Sequence, residues 1–144
     1  FLDADLDIDV ETTRALAESL PGVPWTFHRA IDATLDPLRS WGRLSGLPGL
    51  TTVASGGSPQ GLTQGYDDLL ALLDRVPSVA RVLMVAGGLR ADQVPWLVRA
   101  GVRQFQVDEQ VRPTGSERAY VDAGLVRSWR LLLDDVVSRR ATGS

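Results

Sequence analysis

Cysteine and lysine are both missing from the 144 residues, and His28 and Met84 are the only histidine and the only methionine. The lack of cysteine excludes disulfides, thiolate zinc sites, iron–sulfur ligation and a cysteine nucleophile. The lack of lysine excludes a Schiff-base lysine and a phosphate-loop lysine, and all 15 basic residues are arginine. One imidazole and one thioether leave copper or zinc very few nitrogen or sulfur ligands. No apolar run approaches the roughly 18 residues of a membrane span, and no signal-peptide pattern is visible. A basic patch is missing too: the net charge is −3, so nucleic acid is not an expected partner. The cytoplasm is the default location.

What remains is the profile of a soluble globular chain, 44% hydrophobic and 23% charged. Its length suits one domain over residues 1–144 with a sizeable core. Short β-branched, apolar segments recur at 1–4, 23–28, 50–54, 79–86 and 102–107. Between them lie stretches of helical spacing at 9–20, 37–44, 62–76, 91–99 and 122–137. Asp9 is placed as an N-cap, Pro37 falls in a first turn, and Gly101 is a stop signal. Residues 108–121 read as a long loop and 139–144 as a fraying tail, while Trp41, Trp96 and Trp129 read as core.

This alternation predicts βα units around a mostly parallel sheet of about five strands. Two architectures follow: part of a (β/α)8 barrel, which needs about 250 residues, or a complete flavodoxin-like sheet. Periodicity alone does not separate them. The start at Phe1, inside an apolar–acidic stretch, suggests a pattern entered partway, with further N-terminal βα units expected upstream.

Polar residues gather at the strand ends, where parallel α/β folds bind their ligands: Asp3 and Asp5; Thr26, His28, Arg29 and Asp32; Ser55, Gly56, Gly57 and Ser58; Gly87 and Gly88; Gln106, Asp108 and Glu109. The blocks TFHRAID at 26–32, ASGG at 54–57 and AGGLR at 86–90 resemble the signatures of the CutC family, the so-called copper homeostasis proteins. The opening LDADLDID at 2–9 is similar to that family's Leu-Thr-x-Asp-Gly-x-Ile-Asp block. The resemblance implies a TIM-type (β/α)8 barrel, matched here from its fourth strand onward, and an association with copper. Leu6, Ala54 and Ala86 depart from the family pattern, and Gln106 stands where relatives commonly carry a histidine.

His28 is the leading candidate for a functional side chain, as a proton donor and acceptor or as a lone metal ligand. A hydrogen-bonded structural histidine is the alternative. Thr26 and His28 are expected on one face of a strand, with Trp25 and Phe27 on the other. Arg29 and Asp32 suit anion binding and orientation of His28, or else a loop ion pair. Ser55 and Gly56, and again Gly87, Gly88 and Arg90, suit a small anion held at backbone N–H groups, against the alternative of tight turns requiring positive φ. The alternating Asp3, Asp5, Asp7 and Asp9 would share one face of an extended segment and hold a hard cation, or form a solvated acidic loop. Three functions follow: a cytosolic CutC-like protein of copper homeostasis; a barrel enzyme or small-anion binder built on His28, Arg29 and the Gly87–Gly88 turn; or a scaffold without activity. Open sheet edges predict a homo-oligomer, or dependence on further N-terminal units.

Overall fold

The computed structural model describes residues 1–143; Ser144 lies outside the described residues. Four parallel strands form the sheet: β1 (Trp25–Phe27), β2 (Leu50–Ser55), β3 (Leu83–Val85) and β4 (Gln104–Phe105), adjacent in chain order. Five α-helices accompany them: α1 (Val10–Glu18), α2 (Pro37–Leu44), α3 (Leu62–Arg75), α4 (Val94–Arg99) and α5 (Ala123–Gly143). The sequential order decides between the two architectures. A flavodoxin-like sheet reverses its strand order at a switch point, whereas strands laid side by side in chain order form a barrel wall.

Helix boundaries follow local chemistry. Asp9 caps α1 by accepting from the Thr12 N–H at 3.0 Å, and Asp36 caps α2 by accepting from the Arg39 N–H at 3.1 Å, with Pro37 in the first turn. Along α2 the buried Ser40, Trp41 and Leu44 return at helical spacing. The odd-numbered strand residues Phe27, Val53, Leu83 and Val85 join Ile31, Leu44, Leu69, Leu73, Leu97 and Val98 in one apolar core beneath the helices. Each fully buried aliphatic side chain there contributes about 1.5–3 kcal/mol. The even-numbered residues point to the opposite face. There Thr52 donates its hydroxyl hydrogen to the Gln104 side-chain oxygen at 2.9 Å, and Thr26 and His28 are exposed.

Several expectations are corrected. Residues 1–4 are not a fifth strand: Leu2 makes only an isolated antiparallel bridge to Ile8. Asp3 explains the outcome, because its Oδ1 accepts from the N–H groups of Asp5 and Asp7, both at 3.0 Å, and so folds the segment back on itself. The four aspartates therefore do not line one extended face. Asp3 closes this turn, Asp7 pairs with Arg39 and Arg43 of α2 at 3.3 and 3.2 Å, and Asp9 caps α1. The predicted strand at 79–86 shortens because Pro77–Arg81 forms a 3-10 turn. Trp96 is 58% exposed rather than core, whereas Trp41 is buried and Trp129 is packed against the core edge. Far from fraying, residues 139–143 continue α5.

Candidate functional site

The strand ends carry two glycine pairs that look alike in sequence. Their backbone environments differ. At the end of β1 the chain enters a 3-10 turn, Arg29–Ala33, which swings Asp32 toward the end of β2. The Asp32 carboxylate, only 2% exposed, is saturated there. Its Oδ1 accepts from the Ser55 hydroxyl at 2.5 Å, and its Oδ2 accepts from the Gly56 N–H at 2.9 Å and from Arg29 Nε at 3.0 Å. Ser55 Oγ in turn accepts from the Gly57 N–H at 3.0 Å. The donors of the first glycine pair are thus committed to the protein.

That pair also lies under α3. A Cβ on Gly56 would come within 2.7 Å of the Ala86 carbonyl oxygen, and one on Gly57 would overlap the Gly65 carbonyl oxygen. Gly65 is a helical residue whose own missing Cβ admits the Gly56–Gly57 turn. Glycine at these positions is a packing requirement between two stretches of backbone.

The second pair is arranged differently. Gly87 and Gly88 adopt φ +94° and +80°, and the Gly87 carbonyl accepts from the Leu62 N–H at 2.8 Å. Their own N–H groups have no acceptor among the described residues. Both glycines line an open cavity of about 170 Å³ together with Arg29, Ala86, Gln106, Asp108, Glu109 and Gln110. Arg29 is fixed at its rim: Nε holds Asp32, and Nη2 donates to the carbonyls of Ser58 and Pro59 at 3.0 and 3.2 Å. Nη1 has no acceptor among the described residues and lies 2.6 Å from where a Gly87 Cβ would be. Two successive N–H groups beside a guanidinium N–H form a concave donor set suited to an oxyanion.

Among the sequence candidates, Arg29, Gly87 and Gly88 come together at this cavity, and Asp32 supports it through Arg29. Ser55 and Gly56 belong to the buried network behind it. Arg90 is not among the lining residues: its Nε and Nη2 grip the exposed Asp92 carboxylate at 2.9 and 2.8 Å. That mutual pairing pushes the Arg90 guanidinium up and the Asp92 carboxyl down from their ordinary pKa values. His28 is separated from the cavity. Its Nδ1 accepts from the Ala30 N–H at 3.1 Å, its ring stacks on Phe27, and it lines a different hollow with Leu16, Leu20 and Trp25. Sequence reading missed Gly65, although an isolated glycine inside a helical pattern is itself the signal of close backbone approach.

The donor chemistry does not fit a copper centre. Half of the His28 ring's nitrogen capacity is taken by Ala30, and Met84 sits half-buried in the middle of β3. No group of three or more His, Cys, Asp or Glu side chains is placed to hold a metal among the described residues. Copper(I) selects sulfur ligands and copper(II) imidazole nitrogen, and this site offers mainly N–H donors.

Chain-ordered parallel strands with a cavity at their C-terminal ends define a partial α/β barrel of the TIM type. The sequence model of the CutC family matches residues 1–111, and the chain belongs to that family. A family protein CutC of Klebsiella pneumoniae is 27% identical over 103 residues, which cover 72% of this chain and 40% of that protein. One from Enterobacter sp. (strain 638) is 26% identical over 128 residues, covering 89% of this chain and 50% of that protein. In structure, the chain is similar to CutC of Streptococcus agalactiae, with a TM-score of 0.59 and 27% identity over 73% of this chain and 51% of that one. The chain spans about half the length of the curated relatives it matches. The name of the streptococcal relative associates it with copper homeostasis. No helix among the described residues is long and apolar enough to cross a membrane.

Proposed function

We propose that the chain acts in the cytoplasm as a CutC protein of copper homeostasis, and that its own contribution is recognition of a small anion, phosphate or carboxylate, rather than direct ligation of copper. The name of the streptococcal relative supports the link to copper homeostasis. One observation supports the second part: Gly87 and Gly88, whose N–H groups have no acceptor among the described residues, line the same cavity as Arg29, whose Nη1 has none either. In barrels of this type the anion site commonly forms in the loops of the last strands, and Gly87–Gly88 follows the third of the four strands here.

The test is calorimetric titration of the 144-residue chain with inorganic phosphate and with acetate. Saturable, stoichiometric binding is expected. Gly88→Asp, which sets a carboxylate where the anion would sit, is expected to abolish it. Failure of both anions to bind, or undiminished binding by Gly88→Asp, overturns the reading.

A further inference from the structure

The same cavity carries a feature that a pure anion site would avoid. Glu109 lines it, and its Oε1 lies 3.7 Å from where a Cβ on Gly88 would be. The Glu109 carboxylate has no ionic or hydrogen-bonding partner among the described residues. Of its neighbours on that wall, Asp108 and Gln110 are engaged, while the Gln106 side chain has no partner among the described residues. Asp108 pairs with Arg112 at 2.7 Å; the Gln110 amide donates to the Leu89 carbonyl at 2.8 Å and accepts from the Asp108 N–H at 2.9 Å. The cavity is therefore lined both by donors without acceptors, from Arg29 and the glycine N–H groups, and by an unpaired carboxylate.

We infer that the ligand is a small zwitterion carrying both an acid group and an ammonium, its acid group held by Arg29 Nη1 and the Gly87 and Gly88 N–H groups and its ammonium by Glu109. This rests on the anion reading of the site and narrows it. Arg29 Nη1 lies beside Gly87 and Glu109 Oε1 beside Gly88, so groups of opposite charge flank two successive residues of the turn. A simple anion would bind against the repulsion of Glu109, whereas the ammonium of a zwitterion turns that repulsion into attraction. The cavity of about 170 Å³ has room for a small molecule of this kind.

The experiment measures dissociation constants for acetate and L-alanine at pH 7 and constant ionic strength, on the parent chain and on Glu109→Gln. L-Alanine is expected to bind at least about threefold more tightly than acetate, the gain of one exposed ion pair. Glu109→Gln is expected to move the two in opposite directions, weakening L-alanine and tightening acetate. A change in the same direction for both, or no advantage of L-alanine over acetate on the parent chain, overturns the inference while leaving the anion site standing. Binding of neither acetate nor L-alanine overturns both readings at once. The amide NMR spectrum of Glu109→Gln confirms that the variant is folded.

Discussion

The turn after β2 and the turn after β3 each place two glycines at the C-terminal end of a parallel strand, yet only one presents free donors. At Gly56–Gly57 the N–H groups bond to Asp32 and Ser55, and α3 closes over the turn at Gly65. At Gly87–Gly88 the N–H groups have no acceptor among the described residues, and both glycines line a cavity. The difference teaches that a glycine pair at a strand end is not in itself a ligand site. What surrounds it decides, and here the deciding residue is Asp32, which supplies the acceptor that saturates the first turn.

The largest expected effects come from the first turn. Gly65→Ala drives a methyl group into the Gly56–Gly57 backbone, with no flexible side chain to give way, and the chain is expected to lose cooperative unfolding in a thermal melt. Asp32→Ala strips the acceptor from the Ser55 hydroxyl, the Gly56 N–H and Arg29 together. A loss of roughly 3 kcal/mol is expected by urea denaturation, toward the low end for a broken buried pair because Arg29 is partly solvated. In contrast, Gly88→Asp meets mainly the flexible end of Glu109 and the strain of a positive φ. It is expected to cost about 1–2 kcal/mol while removing anion binding. Equal destabilisation by Gly88→Asp and Asp32→Ala would erase the distinction between the two turns.

Copper sharpens the comparison from another side. A competition titration with Cu(I) is expected to find no intramolecular site tighter than roughly micromolar, since the open turn offers donors and not soft acceptors. A tight stoichiometric site would place copper ligation in this chain after all.

The smallest effect concerns pH. The Thr12 backbone N–H holds the Asp9 carboxyl below its ordinary pKa of 3.8. The folded form therefore favours the carboxylate, so this contribution is fully present above the unfolded value and fades as pH falls through the lower folded one. Helical signal from α1 is expected to be lost below about pH 4, and Asp9→Asn, which keeps a capping oxygen, is expected to flatten that dependence.

Much of this was legible in the sequence. The positions of β1 to β4, the cap at Asp9 and the first-turn Pro37 follow from periodicity and local chemistry, and TFHRAID, ASGG and AGGLR carried the family resemblance. The placement of Trp25 and Phe27 toward the core and of Thr26 and His28 away from it follows from strand alternation. The failures have physical causes. The alternating aspartates imitate a strand face, but Asp3 offers the backbone a competing acceptor two and four residues on. Trp96 falls on the exposed side of a short helix, where helical spacing alone does not determine burial. His28, the most conspicuous residue in the chain, faces a different hollow from its neighbour Arg29 because the 3-10 turn begins between them. Which glycine pair stays open depends on where Asp32 lands, 24 residues before Gly56, and no local pattern encodes that contact.

Backbone amide NMR during a phosphate titration tests the central claim most directly. The account predicts saturable shifts at Gly87 and Gly88, with the Gly56 and Gly57 amides unmoved. Shifts at Gly56 and Gly57 with Gly87 and Gly88 silent would contradict it.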